Sequence, residues 1–242
     1  GISVNNAVDV AKESADLIVL NKSLEDLIQG VIYGRKTFTN TLKYLMMELS
    51  SNFGNMFSMA GASIFLPFLP MLPTQILFNN LLYDASQFAI SSDHVDKELI
   101  QKPTKFSIIF VKRFMLTFGL VSSIFDFITF FLLFSVFHFT GHQFQTGWFL
   151  ESIATQSLVI FLIRTRKIPF LESIPSTSLV LSMVFTVLIG WGITFIPLGT
   201  LFNFTPLPAT TLLIITVIVA LDLALSEVTK RWFYSRVKIS ML

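Results

Sequence analysis

The sequence predicts a mainly α-helical, polytopic membrane protein, with six membrane-spanning helices preceded by the last fragment of an α/β domain. Of the 242 residues, 53% are hydrophobic and 13% are charged, which is about half the charged fraction of a typical soluble domain. From residue 42 onward, apolar segments follow one another, each near the ~20 residues that a helix needs to cross a bilayer. The lipid bilayer is therefore the first expected partner.

The first 41 residues differ from the rest. Residues 2–4 and the LIVL segment at 17–20 predict buried strands, and VDVAKESA between them predicts a helix. Alternating strand and helix is typical of an α/β domain, whose tail we place at residues 1–23. Ser23 and Asp26 have the spacing of a capping box. A helix should therefore begin at Leu24, form a stalk over 24–41 and continue into the membrane.

Six spans are predicted at about residues 42–66, 72–91, 108–137, 147–166, 177–197 and 209–229, with a C-terminal tail at 230–242. The orientation of short loops follows their basic residues. All 17 Lys and Arg fall in the segments on one side of this arrangement, and the three loops on the other side have none. We therefore expect both ends of the segment to be cytoplasmic.

Composition also excludes several functions. The absence of cysteine excludes disulfides, thiolate metal sites and cysteine nucleophiles. The net charge of +2 is too small to indicate a nucleic-acid partner. The opening GISVNNAV lacks the basic start and apolar run of a signal peptide, and no initiator Met is present. We therefore expect the chain to begin within a longer protein.

Polar side chains inside the first two spans form the candidate site. Asn52 and Asn55 lie three residues apart, and Asn80 and Asp84 lie four apart, so each pair shares a helix face. A carboxylate at membrane depth is costly and usually faces a protein interior along an ion path. Amide and carboxylate oxygens bind hard cations. We predict that these four residues, called the amide set below, bind a metal ion. Interhelical hydrogen bonds are the alternative role for the three amides.

Two further acids are weaker candidates for the same metal. Glu48 lies on the face of the first pair, one turn earlier, where it either lines an ion entrance or pairs with Lys43 or a neighbouring helix. Glu151 is expected near the outer end of its span, in the interface or beside an exit path. Asp126 is predicted to make a structural contact, with the two serines of SSIFD nearby.

These stretches resemble the P-type ATPases and, within them, the magnesium-transporting ATPases. VAKESADLIVL resembles the end of the phosphorylation domain, and GRKTFTNTLKYL resembles the stalk of the fifth membrane helix. SSNFGNMF and LFNNLLYD resemble the ion-binding stretches of the fifth and sixth helices. KELIQKPTKF is similar to the cytoplasmic loop that follows, and LIRTRKIPFLES to the end of the eighth helix in the magnesium branch. The resemblance covers the whole chain.

The resemblance implies a C-terminal part of an ATPase that imports Mg²⁺ across a bacterial plasma (inner) membrane. The six spans would be the family's fifth to tenth helices. The implied partner is the missing N-terminal part, with actuator, nucleotide and phosphorylation domains and the first four helices. ATP and the catalytic Mg²⁺ would bind there, because this sequence contains no DKTGT, TGE or GDGxND motif. We therefore expect no catalytic or cofactor-binding residue here, and the chain alone should be inactive.

The ion and the class remain open to alternatives. Where calcium pumps have a carboxylate three residues after an Asn of the fifth helix, this sequence has Asn55. Lower negative charge suits Mg²⁺, which binds through one or two carboxylates and keeps several waters. Another cation-transporting P-type ATPase, for Ca²⁺ or a monovalent ion, is the alternative, as is a non-catalytic membrane fragment. A secondary carrier would predict internal repeats, and we find no convincing repeat between the first and last three spans.

Overall fold

The computed structural model describes residues 1–20 and 23–236, and this part of the chain is mainly helical. Its α-helices and strands, in chain order, are β1 (Ile2–Val4), α1 (Asp9–Glu13), β2 (Leu17–Val19), α2 (Leu24–Phe65), α3 (Pro73–Gln87), α4 (Lys97–Gln101), α5 (Ile108–Phe131), α6 (His142–Leu158), α7 (Ile160–Ile163), α8 (Thr177–Gly192) and α9 (Ala209–Arg236). Short 3₁₀ segments follow α3 and α8, and a π-helical turn follows α5. The chain divides into two compact units, which are described separately.

The first unit comprises Gly1–Thr39 and Val95–Thr104. β1 and β2 pair in parallel, with Ile2 opposite Leu17, and α1 lies between them in sequence, so the predicted strand–helix–strand order is confirmed. The prediction that the strands are buried is wrong for this chain, because Ile2 is 59% and Leu17 is 53% exposed. No further strand pairs with them among the described residues, and a two-stranded sheet without cover is only marginally stable.

α2 is one continuous helix of 42 residues and includes residues of both units, as the sequence predicted. Its start matches the predicted cap, because the Ser23 hydroxyl accepts a hydrogen bond of 3.3 Å from the backbone N–H of Asp26. This bond satisfies one of the free N–H groups of the first turn. α2 ends at Phe65, and α3 begins at Pro73 after a turn that contains Pro67 and Pro70.

The second unit comprises Asn40–His94 and the described residues from Lys105 onward. Four of its helical segments are long and apolar enough to cross a membrane: Ile108–Val136, His142–Ile163, Thr177–Phe195 and Ala209–Arg236. They correspond to the last four predicted spans. α3 has 15 residues, fewer than the ~20 of a typical span, so the full count of six remains a prediction.

The C-terminal end of the last predicted span differs from the structure. α9 continues to Arg236, through residues 230–236, which the sequence analysis assigned to the tail. An unbroken apolar-then-basic sequence contains no helix-stop signal at residue 229. The remainder of that predicted tail, residues 237–242, lies outside the described residues.

α6 is the central helix of the second unit. In its spanning segment 83% of residues are buried, against 33–39% in the other three. Aromatic side chains pack around it, among them Phe130 against Trp148, with ring centroids 4.9 Å apart in an edge-on arrangement. α2 approaches α5 closely where Gly54 meets Gly119, since a Cβ on Gly54 would lie 3.1 Å from the Gly119 carbonyl oxygen. This close approach packs the part of α2 around Asn55 against α5.

Candidate cation site

Glu48 connects α2 to α3. The Asn52 side-chain amide donates a short hydrogen bond to one oxygen of Glu48. Gln87 of α3 donates to the other oxygen at 3.1 Å. Of the partners predicted for Glu48, the neighbouring helix is therefore confirmed, and the ammonium of Lys43 instead binds Asp93 at 2.8 Å. Both oxygens of Glu48 face polar groups beside the amide set.

Asn55 connects α2 to α6. Its amide nitrogen donates to the Gln156 side-chain oxygen at 3.5 Å, and its oxygen accepts from the Ser152 hydroxyl at 3.3 Å. Both contacts lie near the long end of the range for hydrogen bonds. The sequence analysis missed Ser152 and Gln156, although their spacing of four residues in ESIATQS is a signal for one polar face of a helix.

A small cavity with a mixed polar and apolar lining lies beside Asn55. Its volume is about 20 Å³, enough for roughly one water molecule. The side-chain nitrogen of Gln156 is buried and has no hydrogen-bond partner among the described residues. The polar residues lining the cavity include Ser50, Ser51, Asn55, Thr155, Gln156 and Ser226. Because an unsatisfied buried amide is costly, this cavity favours a polar occupant.

On α3 the structure separates two neighbouring asparagines. Asn79 is buried within this chain, and its side-chain oxygen has no partner among the described residues. Asn80 is half-buried and Asp84 is exposed, so the expectation that Asp84 faces an interior is not met within this chain. Asp84 lies three residues before Gln87 on the same helix, and Gln87 donates to Glu48 at 3.1 Å. The amide set is therefore only partly assembled by the residues present.

Asp126 of α5 makes structural contacts to two other helices. A structural role was predicted, but the partners are not the serines of SSIFD. Asp126 accepts hydrogen bonds from the Ser58 hydroxyl of α2 at 2.6 Å and from the Trp148 indole of α6 at 2.7 Å. The nearby Ser123 donates to backbone carbonyls at Gly54 and Gly119 instead. The sequence could not show this, because the donors come from other helices.

Glu151 is completely buried, not at an interface. Neither of its carboxyl oxygens has a hydrogen-bond partner among the described residues. Its neighbour Ser152 donates to Asn55.

The acids of this chain limit how a metal can bind. Among the described residues, no three His, Asp or Glu side chains converge on one point. A cation beside Glu48 and Asp84 would thus find at most two carboxylates from this chain, with amides and water completing its shell. Such a donor set suits a hard cation that retains water.

Comparison with known proteins identifies the family. Residues 68–232 match the family described as "Cation transporting ATPase, C-terminus". This match covers more than half of the chain, and the chain belongs to this family of cation-transporting ATPase C-terminal regions.

Individual relatives agree with this class. The chain is 48% identical, over 98% of its length, to "Magnesium-transporting ATPase, P-type 1" of Escherichia coli and covers 27% of that protein. It is 46% identical, again over 98% of its length, to the protein of the same name from Salmonella typhimurium and covers 26% of it. A "Calcium-transporting ATPase" of Bacillus subtilis is 28% identical over 42% of the chain, which covers 12% of that protein. The chain thus spans about a quarter of the length of its more similar relatives.

Proposed function

We propose that this chain is the C-terminal membrane part of a P-type ATPase that couples ATP hydrolysis to the import of Mg²⁺ across a bacterial plasma membrane. Both ends of the segment are cytoplasmic in this proposal, on the distribution of Lys and Arg. The observation that carries the ion site is the position of Glu48, which accepts hydrogen bonds from Asn52 of α2 and from Gln87 of α3. Gln87 lies three residues after Asp84. Carboxylates at membrane depth are costly without a cation or another partner.

The amide set and Glu48 would bind the transported Mg²⁺ largely through water. Mg²⁺ dehydrates reluctantly and is usually held by one or two carboxylates. Asp84 would supply the essential negative charge, while Asn52 and Asn55 would orient water or contact the ion through their oxygens. The exposed position of Asp84 supports a site completed by helices that this chain does not contain.

Energy input belongs to the missing part of the protein in this proposal. ATP and the catalytic Mg²⁺ bind to the N-terminal domains, and this chain supplies the ion path. The donors to the ion lie on two helices, α2 and α3, so a displacement of one relative to the other changes the ion's coordination. The long hydrogen bonds of Asn55 to α6 are weak enough to exchange during such a step.

The test uses the complete ATPase, meaning this chain together with the N-terminal part that the proposal expects. Mg²⁺ uptake is measured in cells that depend on this protein. Asp84→Asn should lower uptake by about a hundredfold at limiting Mg²⁺, since loss of a direct charged ligand costs at least as much as loss of an outer-sphere partner. The control is Glu172→Gln, because Glu172 is an exposed acid in the loop after α7.

Three results would contradict the proposal. An open reading frame that begins at Gly1 would leave only a membrane fragment. Normal Mg²⁺ uptake by Asp84→Asn would remove the amide set from the ion path. Uptake of Ca²⁺ or a monovalent ion in place of Mg²⁺ would keep the family and change the substrate.

A further inference from the structure

Asp93 is buried between two cations at one end of the second unit. It follows the 3₁₀ turn Phe88–Ser92 after α3. One of its oxygens accepts from the Lys43 ammonium of α2 at 2.8 Å and from the Arg164 guanidinium after α7 at 2.7 Å. All three side chains are at most 4% exposed. Lys43, Asp93 and Arg164 are called the Asp93 cluster below.

The same cations also bind the backbone around Asp93. Lys43 donates to the carbonyl of His94 at 2.9 Å, and Arg164 donates to that carbonyl at 3.2 Å. Arg164 further donates to the carbonyl of Ser173 at 3.1 Å. The second oxygen of Asp93 accepts from the backbone N–H of Ser176 at 3.1 Å, directly before α8. The cluster therefore joins α2, the segment after α3, and the loop from α7 to α8.

Stability alone does not explain such a cluster. Buried ion pairs are often no more stabilising than well-packed apolar side chains of similar size, because desolvation offsets their attraction. An ion cluster instead contributes directional hydrogen bonds, each of which fixes one segment of the chain relative to another. Here a single carboxylate fixes three segments at once.

The three joined segments are those that lead to the candidate cation site. Lys43 lies nine residues before Asn52 on α2, and Asp93 lies nine residues after Asp84. Arg164 lies eight residues after Gln156. The cluster thus holds three chain segments whose candidate polar groups lie eight or nine residues away along the chain.

We propose that Asp93 is a positioning residue of the cation site, which fixes the middle of α2, the segment after α3 and the segment after α7 relative to one another and thereby sets cation affinity. This inference rests on the proposed function of the amide set. Asp93 does not touch the ion; it acts through Lys43 and Arg164. Loosening the cluster changes the separation of Asn52, Asp84 and Gln156, and hence the affinity for the ion.

The experiment measures Mg²⁺ uptake by the complete ATPase as a function of Mg²⁺ concentration, normalised to the amount of protein in the membrane. Asp93→Asn keeps the shape of the side chain and removes its charge. The half-saturating Mg²⁺ concentration should rise about tenfold, within the range of coupling between linked sites, and the maximal rate should stay within about twofold. The control, Glu172→Gln, removes an exposed acid from the loop that Arg164 contacts and should change neither value.

A second variant guards against misfolding of Asp93→Asn, which leaves two buried cations without their carboxylate. Lys43→Gln removes the ammonium of α2 and leaves Asp93 paired with Arg164, while the Asn40 amide of α2 still donates to the Asp93 carbonyl at 2.9 Å. Lys43→Gln should raise the half-saturating concentration about fivefold. Asp93→Glu, which keeps the charge, should raise it less than Asp93→Asn does. Equal half-saturating concentrations in the wild type and Lys43→Gln would overturn the inference, as would a lower maximal rate with unchanged affinity.

The outcome also separates this inference from the proposed function. If the wild type takes up a different cation, the same comparison is made with that cation, and the same shift is expected. If the wild type transports no cation, both proposals are wrong. If the wild type transports Mg²⁺ and the variants have unchanged affinity, only the positioning role of Asp93 is wrong.

Discussion

Two polar regions on helix α2 differ in how completely their groups are paired. In the Asp93 cluster, one carboxylate accepts bonds of 2.7 and 2.8 Å from two buried cations. About three turns further along the helix, Asn55 makes bonds of 3.3 and 3.5 Å, and Asp84 of the neighbouring α3 is exposed. Saturated polar groups fix a structure, whereas unsatisfied ones gain free energy from a ligand. This difference is the basis for the two proposals, in which the first region positions helices and the second binds the cation.

The largest expected difference between the two regions is in stability. Asp93→Asn leaves two buried cations without their carboxylate, and breaking such a pair costs about 3–5 kcal/mol. Asn52→Ala removes a partly exposed amide and should cost less than about 1 kcal/mol. Thermal unfolding of the complete ATPase in detergent measures both. Equal losses in the two variants would break the comparison.

A smaller effect is expected at Gln156, where a substitution should weaken Mg²⁺ uptake without lowering the stability of the protein. Gln156→Leu removes the partner of Asn55 and a buried amide nitrogen that lacks a partner among the described residues. The half-saturating Mg²⁺ concentration should rise about tenfold, as for loss of an outer-sphere group, while the melting temperature should not fall. Thr211→Val, at a buried hydroxyl without a described partner on α9, is the control. A stability loss without an affinity change would make Gln156 structural.

The last effect is the pH dependence of the Asp93 cluster, which is the smallest of the three near neutral pH. Burial by itself would raise the pKa of Asp93, but the charge of Lys43 and the hydrogen bonds from Arg164 and Lys43 outweigh it, so the pKa is lowered. A lowered pKa gives stability that is present above the unfolded-state value and is lost as pH falls through the folded-state value.

We therefore expect this contribution to be constant near neutral pH and to decline only below about pH 4. Melting temperatures of the wild type and Asp93→Asn, measured over this range, should differ most near neutral pH and converge in acid. A constant difference down to the most acidic sample would show that the Asp93 charge is not the source of the stability.

Local patterns in the sequence predicted the elements well. Three features were predicted correctly: the strand–helix–strand order at the start, the Ser23 cap of α2, and four apolar spans. Each depends on residues close in sequence, where the hydrophobic period and capping chemistry act directly. The order of short motifs also pointed to the P-type ATPases, and the family match confirmed this class. The affinity and identity of the transported ion remain proposals.

The sequence by itself thus determined the helices, their order and the residue types available for a hard cation. Only the tertiary structure decided which of them meet. It buried Asn79 and left Asp84 exposed, brought Gln156 to Asn55 across 101 residues of chain, and joined Asp93 to Arg164 across 71. Helical period fixes which residues share a face, but which face meets another helix depends on packing between segments distant in sequence.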